Sequence, residues 1–237
     1  MIVDSMMNLP LLYWASAETN RPRFADIAKK HADTCMEKIV RPDGSCNHIA
    51  VLDELTGATL EIPAGQGYES GSSWSRGQAW ALYGYALSFR HTRERKYLDC
   101  AKRIAHYFIA NIVHTDSVPL CDFRQPATPV VYDTTAAGIA LCGLLEIAQH
   151  VNTRERAIYE IPAIKMLQAL DATYANYDTD IDSIIGGGTE AYHMAQTRDV
   201  PIIYGDYFFI EGILRVLGRD FSIWGGPITA EEKGAKK

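Results

Sequence analysis

The chain has 237 residues, 47% hydrophobic and 22% charged, the make-up of an ordinary globular protein of one large domain or two small ones. Its net charge of −6 argues against a nucleic-acid partner. No run is apolar for long enough to span a membrane, and five scattered cysteines without a C-x-x-C pair read as reduced thiols of a cytoplasmic protein.

Taken in order, residues 5–17 read as a helix capped by Asp4, with a kink expected at Pro10 in its second turn. A second helix over 21–39 has Pro22 in its first turn, where no backbone donor is needed. Arg41-Pro42-Asp43-Gly44 is a turn, and the β-type runs around Thr56-Gly57 suggest a small hairpin within 49–62. Helices follow over 72–87, opened by Ser72 and Ser73, and over 95–111. Residues 134–150 are small and apolar nearly all round, the mark of a buried helix. A further helix over 156–174 is expected to be interrupted at Pro162, 176–201 reads as a long loop, and 204–217 is the last helix. The chain is expected to form one domain over 1–224, followed by a frayed polar tail over 225–237.

A repeat runs through these helices. Phe24-Ala25-Asp26-Ile27-Ala28-Lys29 returns as Tyr97-Leu98-Asp99-Cys100-Ala101-Lys102, and Thr92-Arg93-Glu94-Arg95 returns as Thr153-Arg154-Glu155-Arg156. The unit is a helix pair: one member apolar all round, the other amphipathic. Such a contrast predicts an inner and an outer shell, as in an α solenoid or a closed α/α toroid. The Thr-Arg-Glu-Arg runs then lie at inner-to-outer turns and read as solvated caps.

If the inner helices run parallel, their N-termini share one rim. Asp4, Ser72, Ser73, Arg76, Asp133 and Asp206 stand there, with the His48 and Gln66 loops beside them. Arg76 is a cation in the first turn of a helix, where the dipole is also positive, so an anion must compensate it. That anion is either an internal carboxylate or a bound ligand, and Trp80, one turn on, offers a flat platform next to it. No metal-binding spacing is present; His31, His91, His106, His114 and His150 fall on segments read as outer or surface. Neither a phosphate-binding glycine loop nor a nucleophile elbow occurs.

Gln66-Gly67-Tyr68 and the run from Ser72 through Trp74-Ser75-Arg76-Gly77-Gln78-Ala79-Trp80 resemble the unsaturated glucuronyl hydrolases of glycoside hydrolase family 88. So do the stretches from Asp4 to Leu12 and from Tyr204 to Phe208. The resemblance implies an all-α fold, an (α/α)6 toroid of the six-hairpin glycosidase type. It implies a substrate ending in a 4,5-unsaturated uronic acid, no cofactor, Asp4 as acid/base, and His48, Gln66, Arg76 and Trp80 around the sugar. Arg76 is expected near the uronate carboxylate, and Ser72, Ser73 and Asp206 on the rim.

With about seven long helices and only Met1-Ile2-Val3 before Asp4, the sequence reads as the C-terminal portion of such an enzyme, lacking a second essential Asp. Open ends of this kind are expected to favour self-association, and the chain alone is expected to be inactive. Two alternatives stand beside this reading: an unsaturated rhamnogalacturonyl hydrolase, and a non-catalytic sugar-binding α/α protein.

Overall fold

A computed structural model describes residues 1–219 and 223–225. A short 3-10 helix at Val3–Asn8 runs into α1 (Leu9–Thr19), then α2 (Pro22–Lys38), and strands β1 (Val51–Leu52) and β2 (Thr59–Glu61). After the hairpin come α3 (Ser75–Thr92), α4 (Arg95–Ile112), α5 (Thr134–Ala148), α6 (Thr153–Ala169) and α7 (Ile203–Val216). Of the expected tail, residues 226–237 lie outside the described residues.

The two-shell arrangement follows from which faces are apolar. α3 buries most of its residues and α5 all but Leu145, so both need neighbours on every side. α1 lies against α3, α3 against α5 and α5 against α7, which makes one layer. α2 packs on α1, α4 on α3 and α6 on α5, with narrower buried stripes. A continuous apolar core runs between the layers from Val3 to Phe209. The inner helices approach closely: a Cβ on Gly143 would lie 2.3 Å from Leu82 Cδ2, and one on Gly84 would lie 2.5 Å from the Met6 Cβ.

The sequence repeat has a structural counterpart. Lys29, which ends the first copy of the six-residue unit, pairs with Glu94 at 3.1 Å, and Lys102, which ends the second, pairs with Glu155 at 2.6 Å. Each Thr-Arg-Glu-Arg run thus receives a lysine from the outer helix before it.

Three expectations need correction. Asp4 caps no helix; the turn begins at Val3, and Pro10 falls at the second residue of α1, so the break comes at the 3-10 to α junction. The break expected at Pro162 is absent: α6 runs through it, held on α5 by Tyr159, Ala163 and Met166 at helical spacing, which outweighs the lost hydrogen bond. The second inner helix starts at Ser75, not Ser72, because Ser72 and Ser73 bond to Asp122. The first N–H of α3 is satisfied by the Cys121 carbonyl at 2.9 Å instead of by a cap.

A polar network unforeseen in the sequence joins the far ends of three inner helices. Glu146 of α5 accepts from Arg90 of α3 at 3.2 Å, Arg215 of α7 at 2.9 Å and His150 at 2.9 Å. Arg215 also donates to Glu211 at 2.8 Å, which in turn accepts from Tyr83 and Trp224. Glu146 and Glu211 are fully buried, so every charge here depends on its partners. His150, read as a surface or packing residue, belongs to this network, and His91 lies on inner helix α3, half-buried and bonded to the Trp224 carbonyl.

Candidate active site

The chain start pairs with the segment carrying His48. Val3 N–H donates to the His48 carbonyl at 3.0 Å and Ala50 N–H to Met1 O at 2.9 Å. This pairing sets Asp4 beside the imidazole, with Asp4 Oδ2 3.3 Å from His48 Nε2. The two atoms face each other without the alignment of a formed hydrogen bond, and neither has another partner among the described residues. On the other side of the ring, Gln66 N–H donates to Nδ1 at 3.0 Å. Nδ1 is therefore an acceptor, and the neutral ring carries its proton on Nε2, toward Asp4. Gly65 makes this possible. Its φ is +61°, and a Cβ there would lie 2.1 Å from His48 Nδ1.

His48 lies tilted against Trp74, with ring centroids 4.3 Å apart and planes at 39°, and the Arg76 guanidinium lies 5.3 Å from the same indole. Arg76 Nε donates to Asp133 Oδ2 at 2.9 Å, Nη1 donates to the Tyr204 hydroxyl, and Nη2 donates to the Thr189 carbonyl. Of the two anions considered for Arg76, the structure supplies the internal one. Burial opposes the charge, but Asp133 and Tyr204 together more than offset it and keep the guanidinium protonated. Arg76 is thus not an open cation. Its outward neighbour is Tyr204, whose ring lies 5.9 Å from that of Trp80. Burial pushes the Tyr204 phenol up, against the pull of Arg76, so it keeps its proton.

Asp4, His48, Gln66, Arg76 and Trp80 are therefore linked through a chain of direct neighbours, with Trp74 and Tyr204 as intermediates. The rim residues are engaged elsewhere. Ser72 and Ser73 are buried on Asp122, and Asp206 accepts from the amides of Ile184 and Ile185 at 3.1 and 2.7 Å, fastening the long loop. Gln66 Nε2 donates to the Glu190 carbonyl at 2.6 Å, a second tie to that loop. Sequence reading missed Tyr204, Thr189 and Asp122 as site supports. Asp133 was legible only as a cap, a role it also has, accepting from Thr135 N–H at 3.2 Å. A cavity of about 390 Å³ lined by Tyr132, Tyr174, Arg198 and Asp199 shares Thr189 with the Arg76 cluster. Among the described residues, no group of three or more His, Cys, Asp or Glu is placed to hold a metal ion.

No protein-family model matches the chain. An unsaturated glucuronyl hydrolase from Bacillus sp. strain GL1 is 36% identical over 91% of this chain and 58% of its own length. Its crystal structure superimposes with a TM-score of 0.85 over the same shares. The chain is a homologue of the unsaturated glucuronyl hydrolases. An unsaturated chondroitin disaccharide hydrolase from Streptococcus pyogenes serotype M1 is 32% identical over 91% of the chain and 55% of its own length. The chain thus spans a little over half the length of these relatives, and its helix pairs share the α/α fold of the glucuronyl hydrolase structure.

Proposed function

We propose that this chain carries the sugar-binding and proton-transferring side of a hydrolase that removes a 4,5-unsaturated uronic acid from the non-reducing end of an oligosaccharide. The observation that carries the reading is the approach of Asp4 to His48, two buried polar atoms with no other partner among the described residues, near Tyr204, whose ring meets that of Trp80. The kinship with glucuronyl and chondroitin disaccharide hydrolases supports the substrate class.

The substrate is a vinyl ether. Asp4 gives its proton to carbon 4, the positive charge forms at carbon 5 and the ring oxygen, and water adds to carbon 5 while the Asp4 carboxylate takes the water's proton. The hemiketal opens and releases the rest of the oligosaccharide as an alcohol. His48 orients Asp4 through Nε2–H, and Trp80 stacks on the sugar. The Tyr204 hydroxyl accepts from Arg76 and has its own proton free for the uronate, so the buried guanidinium acts on the carboxylate through it. The cavity beside Thr189 leaves room for the following residue.

The test follows the enol-ether ultraviolet absorbance of unsaturated glucuronyl disaccharides, together with calorimetric binding. Binding with loss of absorbance supports the reading. Binding without loss by this chain, and also by a version extended at its N-terminus, favours a sugar-binding protein; faster loss with rhamnogalacturonyl disaccharides favours that specificity, and no binding by either overturns all three.

Two further points belong to the same reading. Five buried cysteines without a disulfide support a reducing compartment such as the cytoplasm; the described residues contain no helix long and apolar enough to cross a membrane. Ile203 and Ile210 on α7 and Leu217 just past its end recur every second turn and are 78%, 42% and 62% exposed, and α1 exposes Leu11 and Trp14. These faces support association of the chain with itself, read out as a concentration-dependent mass in sedimentation.

A further inference from the structure

We propose that Asp122 is a positioning residue for the candidate site, one buried carboxylate that fixes the loop carrying Gln66 and, through it, the His48 ring. The inference rests on the site reading above.

Asp122 is fully buried. Its Oδ2 accepts from Tyr68 N–H at 2.9 Å and from the Ser72 hydroxyl at 2.6 Å. Its Oδ1 accepts from Ser73 N–H at 3.1 Å and Arg124 N–H at 2.9 Å. These donors come from three stretches of chain: the Gln66–Tyr68 loop, the lead-in to α3, and the 121–124 segment itself. All are donors, so only a group that accepts at both ends satisfies them. Gly67 presses on the same spot; a Cβ there would lie 2.8 Å from Oδ2. From Tyr68 the tie passes to Gln66, whose N–H holds His48 Nδ1 at 3.0 Å, and from His48 to Asp4 at 3.3 Å. The lead-in on Ser72 and Ser73 continues to Trp74, the indole against which the His48 ring lies. The Asp122 carboxylate bonds to neither Asp4 nor His48 and acts through these intermediates.

The amide replacement separates positioning from general support. In Asp122→Asn one oxygen still serves two N–H donors, while an NH2 group faces Tyr68 N–H and Ser72. The serine hydroxyl can turn and accept; the Tyr68 N–H cannot. Ser72→Ala leaves the carboxylate and the Tyr68 bond in place and serves as the control.

Amide hydrogen exchange at Gln66 and Tyr68 is expected to rise about tenfold or more in Asp122→Asn, with Leu82 and Leu144 in α3 and α5 unchanged. In the same variant the His48 ring nitrogen NMR signals should move toward a mixture of tautomers. Ser72→Ala should stay within about threefold of the parent at Gln66 and Tyr68. Affinity for an unsaturated glucuronyl disaccharide should fall about tenfold in Asp122→Asn only. Unchanged exchange at Gln66 and Tyr68 overturns the proposal. So does an equal rise at Leu82 and Leu144, which would make Asp122 a general support of the fold. The exchange and ring signals need no substrate, so a chain that binds no disaccharide yet loosens in this loop sinks the reading of the site and supports the role of Asp122.

Discussion

Arg76 Nε donates to Asp133 Oδ2 at 2.9 Å, with the two side chains 1% and 0% exposed. Removing one partner of a buried pair strands the other charge, at a cost of about 3–5 kcal/mol. Asp133→Ala also removes the cap of α5. It should therefore lower the urea-unfolding free energy by about that amount. Asp99→Ala breaks a pair with Arg95 whose members are 57% and 64% exposed, and should shift it by less than about 1 kcal/mol. Equal effects would show that Arg76 has another anion.

Asp4→Asn tests the proton donor. Asp4 caps nothing and is only partly buried, so the thermal midpoint should barely move. Disaccharide affinity should stay within about threefold while any turnover falls about 10²- to 10⁴-fold. A variant that keeps its rate would remove Asp4 from the chemistry.

Gly65→Ala tests the seat of His48. Its φ of +61° makes a side chain costly by about 1–2 kcal/mol, and the added methyl meets the imidazole. Disaccharide binding should weaken and the His48 ring signals shift, while the buried helices α3 and α5 keep their exchange protection. Parent-like binding would mean that the ring's position is immaterial.

Stability should decline in two steps as pH falls. Burial pushes the His91 imidazole below 6.5, against its hydrogen bond to the Trp224 carbonyl. The unfolded chain then takes a proton that the folded one refuses, and stability is lost as pH drops through that range. Burial opposes ionisation of Glu146, yet its bond from His150 and the charges of Arg215 and Arg90 hold it well below the usual carboxylate range. Its contribution is present above 4.5 and lost below it. Urea midpoints across this range should show both limbs, and Glu146→Gln, destabilised at neutral pH, should lose the lower one.

The helices were legible because burial all round in α5 and one-sided burial in α4 leave plain patterns in the sequence, and the repeated six-residue unit marks equivalent places. What failed was capping chemistry. Ser72 and Ser73 have the composition of a cap, but a carboxylate fifty residues on claims them, and no local pattern announces that. Pro162 failed likewise, since packing on α5 overrides a local rule. In the candidate site, Asp4, His48, Gln66, Arg76 and Trp80 were legible through motif and rim position. The choice between an internal and an external anion for Arg76 was not, because it depends on where α5 begins in space.

Arg90, Glu146, Glu211 and Arg215 put two charges of each sign into one buried cluster, so the loss or reversal of any one leaves that cluster with a net charge in oil. Drift at these four sites must therefore proceed in matched exchanges, and a diverged sequence that has shed one of them should have replaced its counterpart as well.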